Sequence, residues 1–184
     1  GTPTIEPPVS PSATPIIPTI DVTSAPPQPT GGPTIANCPM FPADNYWNAR
    51  VDALPTHPQS AAWIESIGSS ESFHMDFGSG EWDGGLIGIP FNIVAGSTVP
   101  KFEPEFYYPD ESDAGPYPIP DNPSIEFGSD HHIIVVDTDT CTLYEIFDAS
   151  FADGQWFGGG GAIFDLNSNA LRPDTWTSAD AAGL

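Results

Sequence analysis

The sequence predicts an all-β domain, an antiparallel β-sandwich or jelly-roll-like fold with one or two short helices, preceded by an extended proline-rich arm. Three observations predict it. From Cys38 onward, short β-prone runs follow one another, punctuated by Gly, Pro, Asp and Asn. Residues 1–36 are instead dominated by Pro, Thr and Ser, a composition that cannot build a packed core of its own. Within them the triplet Pro-Thr-Ile recurs at Pro3, Pro18 and Pro33, every fifteen residues, with Glu6 and Asp21 following the first two copies. The chain therefore divides into an arm, 1–36, and a β-rich globular domain, 37–184, whose roughly 150 residues suffice for one core and not two.

In the domain, residues 86–94, 101–108, 131–137, 141–148 and 155–166 read as strands. Thr138-Asp139-Thr140 forms a tight hairpin between the third and fourth, pairing Val136 with Cys141 and so setting His132 opposite Glu145. Residues 58–67 read as a helix, with Pro58 near its first turn and Gly68 at its end. Thr177-Ser178-Ala179-Asp180 is a weaker capping signal for a second. The long Pro- and acid-rich stretch 108–122 reads as a stiff crossover or a loop that meets a ligand or a neighbour.

The arm is a ruler. An extended chain advances about 3.1–3.4 Å per residue, so one repeat spans roughly 45–50 Å, close to the roughly 40 Å width of a domain this size. Ile16, Pro18, Ile20 and Val22 fall on one face at period two, with Ile17, Thr19 and Asp21 on the other, and Ile5 and Ile35 recur in the flanking repeats. Proline is excluded from central strands but can sit at a sheet edge. Addition of this strand to a neighbour would bury the isoleucines, and a donated arm is a heterologous contact that propagates into a helical homopolymer. The alternative is a surface stalk. Thr4, Thr14, Thr19, Thr30 and Thr34 lie beside proline or glycine in open backbone, where O-glycosylation is expected; Asn122-Pro123-Ser124 is a sequon blocked by its proline.

Three Lys+Arg (Arg50, Lys101 and Arg172) stand against 25 Asp+Glu, for a net charge of −22. Such a surface repels phosphate backbones and anionic headgroups, which argues against nucleic-acid partners. No apolar run approaches the roughly 20 residues of a membrane span. The lack of an initiator Met or basic-apolar leader reads as a mature, exported chain. Cys38 and Cys141 are the only cysteines. They suggest one disulfide formed in an oxidising compartment, with two buried thiols as the alternative.

Part of the chain is familiar. Gly88-Ile89-Pro90-Phe91-Asn92, the stretch 110–120 with Asp110-Glu111-Ser112-Asp113 and Pro116-Tyr117-Pro118-Ile119-Pro120, the stretch 137–145 around Cys141, Asp165–Pro173 and Trp176–Leu184 resemble a family of uncharacterised secreted bacterial proteins. The resemblance covers about 41–184 and omits the arm. It implies an extracellular or cell-surface bacterial protein whose relatives continue beyond this point, and it carries no activity.

Catalytic and metal signals are sparse. His131 and His132 are adjacent on a strand and point to opposite faces, so they cannot readily share an ion. His132 with Glu145 would make a general base and its orienter, or a structural cross-strand pair. Asp137 with Asp139, and Asp110 with Glu111 and Asp113, are candidate calcium ligands or solvated loops; neither has EF-hand spacing. No other cofactor is indicated. Trp47, Trp82, Trp156 and Trp176, with the acids Glu81 and Asp83, admit a carbohydrate-binding or carbohydrate-cleaving reading beside the default of core packing. Structural fibre subunit is the leading reading, and a secreted glycan-handling domain on a stalk the alternative.

Overall fold

Alternating apolar residues in two consecutive strands build the centre of the domain. A computed structural model describes residues 31–52, 54–72 and 80–176. Arm residues Ile5, Ile16, Ile17, Pro18, Thr19, Ile20 and Val22, the threonines Thr4, Thr14 and Thr30, His74, and the helix signal at 177–180 lie outside them.

Strand β7 (Ile133–Asp137) and strand β8 (Thr142–Phe147) form an antiparallel hairpin. Strand β11 (Gly160–Asp165) pairs antiparallel with β8, and β5 (Phe91–Val94) pairs parallel with β7, giving the order β11-β8-β7-β5. A second sheet, β6-β10-β9, joins Glu105–Phe106, Gln155–Gly158 and Ser150–Ala152. Two-residue ladders pair β1 (Thr34–Ile35) with β2 (Cys38–Pro39) and β3 (Glu81–Trp82) with β4 (Gly85–Leu86). With one α-helix, α1 (Ser60–Ile67), the described residues make a predominantly β fold.

The four-stranded sheet is buried on both faces. On one, Ile133, Val135 and Ile146 pack with Trp156 of the second sheet and with Tyr117 and Ile119 from the long loop. On the other, Val136, Leu143, Ala162 and Phe164 pack with Leu166 and Cys38. Each fully buried aliphatic side chain contributes roughly 1.5–3 kcal/mol before the entropy of ordering is counted.

Several expected elements are shorter than their β-prone runs. The run 86–94 breaks into β4 and β5 because Gly88 takes a φ of 92° and Pro90 has no N–H to donate. The run 101–108 keeps only β6, beside a bridge from Phe102 to Tyr117. The run 131–137 starts two residues late, since His131 adopts a φ of 46°. The run 155–166 is two strands in two sheets, and the glycines at the crossing are needed for close approach. A Cβ at Gly159 would meet Phe147 at 2.5 Å, and one at Gly161 would meet Phe106 at 2.3 Å. The helix forms where expected and stops at Gly68. It buries none of its residues; Trp63 stacks instead on His57, 4.5 Å away.

The hairpin register differs from the expected one. Val136 faces Leu143, not Cys141, so Ile134 and not His132 stands opposite Glu145. The reason lies at Asp137, whose Oδ1 accepts the N–H of Asp139 at 2.9 Å in a loop that runs over residues 138–141, one longer than the expected 138–140. Cys141 then belongs to the turn itself, at a φ of 51°.

Candidate functional site

Cys38 and Cys141 are disulfide-bonded, with Cα atoms 5.2 Å apart. The bridge ties the root of the arm to the start of β8. Just before it, Thr34 and Ile35 pair with Pro39 and Cys38 around a turn whose Ala36 and Asn37 both have positive φ, and Met40 N–H donates to Pro33 C=O at 2.8 Å.

The two edges of the main sheet are treated differently. At β11, Ser112 Oγ accepts the Gly161 N–H (3.1 Å), Asp113 N–H donates to Gly161 C=O (3.0 Å), and Asp113 Oδ2 accepts the Ile163 N–H (3.0 Å). Arg172 closes over these groups, donating to Asp113 and to the carbonyls of Glu111 and Gly161. The long loop 108–122 thus works as an edge cover, with Tyr117 and Ile119 sunk in the core. At β5, Val94 C=O accepts the Thr138 N–H at 2.8 Å, which turns the amides of Asn92 and Val94 toward β7. By the alternation of a parallel ladder, Phe91 and Ile93 turn theirs outward. Among the described residues none of the loop hydrogen bonds reaches those outward groups. The side chains of Phe91 and Ile93 are 51% and 50% exposed.

His132 has a carboxylate partner that was not expected. Its Nδ1 lies 2.5 Å from Glu126 Oε2, which also accepts the His132 N–H at 3.2 Å, while Glu126 N–H donates to His132 C=O at 3.0 Å. The ring of Phe147 stands 5.6 Å from the imidazole. Glu145 is buried on the sheet between Ile134 and Ala162 in register. The proposed general-base pair is therefore replaced by a histidine locked to a loop acid.

The acidic candidates are engaged by backbone amides. Buried Asp137 accepts from Gly96 and Asp139 N–H groups, both at 2.9 Å. Asp139 accepts from Ser97 N–H at 2.9 Å, and hydrogen bonding from the Ser97 hydroxyl and N–H holds its carboxyl below the usual range. Asp110 and Glu111 sit in the 3-10 turn Pro109–Glu111. Among the described residues no three His, Cys, Asp or Glu side chains gather to hold a metal ion, and no helix is long and apolar enough to cross a membrane. Of the tryptophans, Trp156 is core and Trp176 lies under Arg172 at 5.2 Å, whereas Trp47 and Trp82 are exposed. Glu81 pairs with Leu86, and Asp83 occupies the β3–β4 turn.

The second sheet carries a cleft that sequence reading missed. Of about 610 Å³, it is lined by Tyr107, Tyr108, Phe157, Glu105, Asp148 and Ser150 among others. Glu105, Phe157 and Ser150 are direct cross-strand neighbours in one row. Tyr107 and Tyr108 are hung on the glycine corner, donating N–H groups to Gly158 and Gly159 carbonyls at 2.9 Å each. A run of two tyrosines after a strand was the available signal; its partner across the sheet was not.

No protein-family model matches the chain, and no curated protein or solved structure matches it either.

Proposed function

We propose that the chain is a structural subunit of an extracellular bacterial fibre, and that the arm of one copy adds as a strand to β5 of the next. The observation that carries this reading is the asymmetry of the main sheet: β11 is covered by Ser112, Asp113 and Arg172, while β5 offers the outward amides of Phe91 and Ile93. An edge whose outward amides find no partner among the described residues, beside apolar side chains, is a template for strand addition. Ile16, Pro18, Ile20 and Val22 have the period-two apolar face that would lie beside Phe91 and Ile93. The disulfide at the arm's root supports an oxidising compartment and gives the arm a fixed origin. Thr34 and the arm threonines are its proposed O-glycosylation sites. The sharing of one core by the two larger sheets supports a sandwich-like arrangement.

Negative-stain electron microscopy of the full chain beside a variant lacking residues 1–30 tests the assignment. Regular filaments in the full chain and dispersed particles in the truncation are expected; filaments in both would remove the arm from the mechanism.

A further inference from the structure

We propose a second function away from the β5 edge, on the second sheet: the cleft over β6 and β10 binds a neutral oligosaccharide. Its row of Glu105, Phe157 and Ser150 places an acceptor, an apolar ring and a hydroxyl side by side on one sheet face. The other face of the same strands holds Phe106 and Trp156 against the core. Tyr107 extends this row beyond β6 and is 81% exposed, with Tyr108 at 57% and Phe157 at 36%. Exposed aromatic surface is unfavourable in water, and the two tyrosines stand on backbone fixed by the Gly158 and Gly159 hydrogen bonds, not on a free loop.

The chemistry of the rim selects the ligand class. Sugar rings present C–H faces that stack on aromatic rings and hydroxyls that donate to carboxylates. Glu105 and Asp148 supply the acceptors and Ser150 an exchanging hydroxyl. An anionic polymer is disfavoured by a chain of net charge −22. A proline-rich segment also docks on aromatic grooves. It presents carbonyl acceptors, however, and few donors, which suits a rim of N–H donors better than one of carboxylates. The rim thus favours a hydroxyl-rich ligand over the arm of another copy.

The test is isothermal titration of the full-length protein with cellohexaose, chitohexaose and mannohexaose, alongside a synthetic peptide of residues 1–30. Binding of at least one hexasaccharide is expected, weakened about three- to tenfold by Tyr107→Ala and by Phe157→Ala, as loss of one stacked ring implies. Both variants should keep the wild-type circular dichroism and should still form filaments, which separates this cleft from the β5 edge, and Tyr107→Ala, at an 81% exposed side chain, should also keep the wild-type melting temperature. The proposal is overturned if none of the three sugars binds, or if binding is unchanged in both variants. It is equally overturned if the peptide, and no sugar, occupies the cleft.

Discussion

Arg172 reaches back 59 residues to Asp113, their Nη2 and Oδ2 atoms 3.2 Å apart. The guanidinium side chain is 7% exposed and also serves the carbonyls of Glu111 and Gly161. Asp113 in turn holds the Ile163 N–H. One ion pair therefore fastens the long loop to β11 and shuts that edge of the sheet.

Arg172→Ala removes the cation, leaving the Asp113 carboxylate without its counter-charge and removing one donor each from the carbonyls of Glu111 and Gly161. A loss of about 3 kcal/mol is expected in urea unfolding. Arg172→Lys should recover only part of it, because one ammonium cannot reproduce the guanidinium fork. A loss below about 1 kcal/mol for the alanine variant, the range of an exposed pair, would show that the loop is held by the Ser112 and Asp113 hydrogen bonds and by the burial of Tyr117 and Ile119, without the ion pair.

The disulfide spans 103 residues of sequence, so opening it restores a large loop to the unfolded ensemble. Replacing both cysteines by serine should cost about 4–5 kcal/mol in the chain-entropy model. The arm should then lose its fixed root. The observable is the urea midpoint, compared with that of oxidised wild type, in which the bridge is intact. If the double variant and the oxidised wild type unfold together, the bridge constrains nothing that folding has not already fixed.

Local signals are legible in the chain, and partner choice is not. The pair Cys38–Cys141, the helix ending at Gly68 and the hairpin after Asp137 all follow from residue type and spacing. The register of that hairpin does not, because Asp137 spends its carboxylate on the N–H groups of Gly96 and Asp139, and one of those donors is distant in sequence. The same holds for His132, whose acid comes from Glu126 across the loop through Gly128, at a φ of 138°. β propensity says that residues 91–94 make a strand; it cannot say that they pair parallel to β7. The Gly158–Gly161 run reads as weak strand by propensity, yet its missing side chains are what allow the chain to pass between sheets under Phe147 and Phe106.

Tyr117 makes stability fall in alkali. Burial, reinforced by the Asp113 carboxylate, pushes its phenol far above the ordinary 10.0; burial also raises Tyr144. Below pH 10 both states carry the neutral phenol and the stabilisation is fully present. As pH rises past 10 the unfolded chain ionises and the folded one does not, so stability is progressively lost. Urea midpoints should hold to about pH 9 and decline above pH 10. Tyr117→Phe lacks the hydroxyl that donates to Asp113 C=O at 2.8 Å. It should start about 1 kcal/mol lower and decline less steeply. Parallel curves for the two proteins would place the alkaline sensitivity elsewhere.

The β5 edge can be tested without touching the arm. Ile93 is half exposed and outward at the edge, so Ile93→Lys should fold with a stability change within about 0.5 kcal/mol. It should block strand addition by placing a charge where an apolar row must form. Under the fibre proposal this variant keeps a competent arm and lacks an acceptor, whereas the truncation lacking residues 1–30 keeps the acceptor and lacks the arm. Neither alone should polymerise. Mixed at equal concentrations they should form a one-to-one dimer, because the single productive contact leaves no free arm and no free edge to continue the chain. Analytical ultracentrifugation distinguishes the outcomes. A dimer in the mixture, with monomers in each component, assigns the acceptor to β5. Filaments from Ile93→Lys by itself would move the acceptor to another surface while leaving the arm in place.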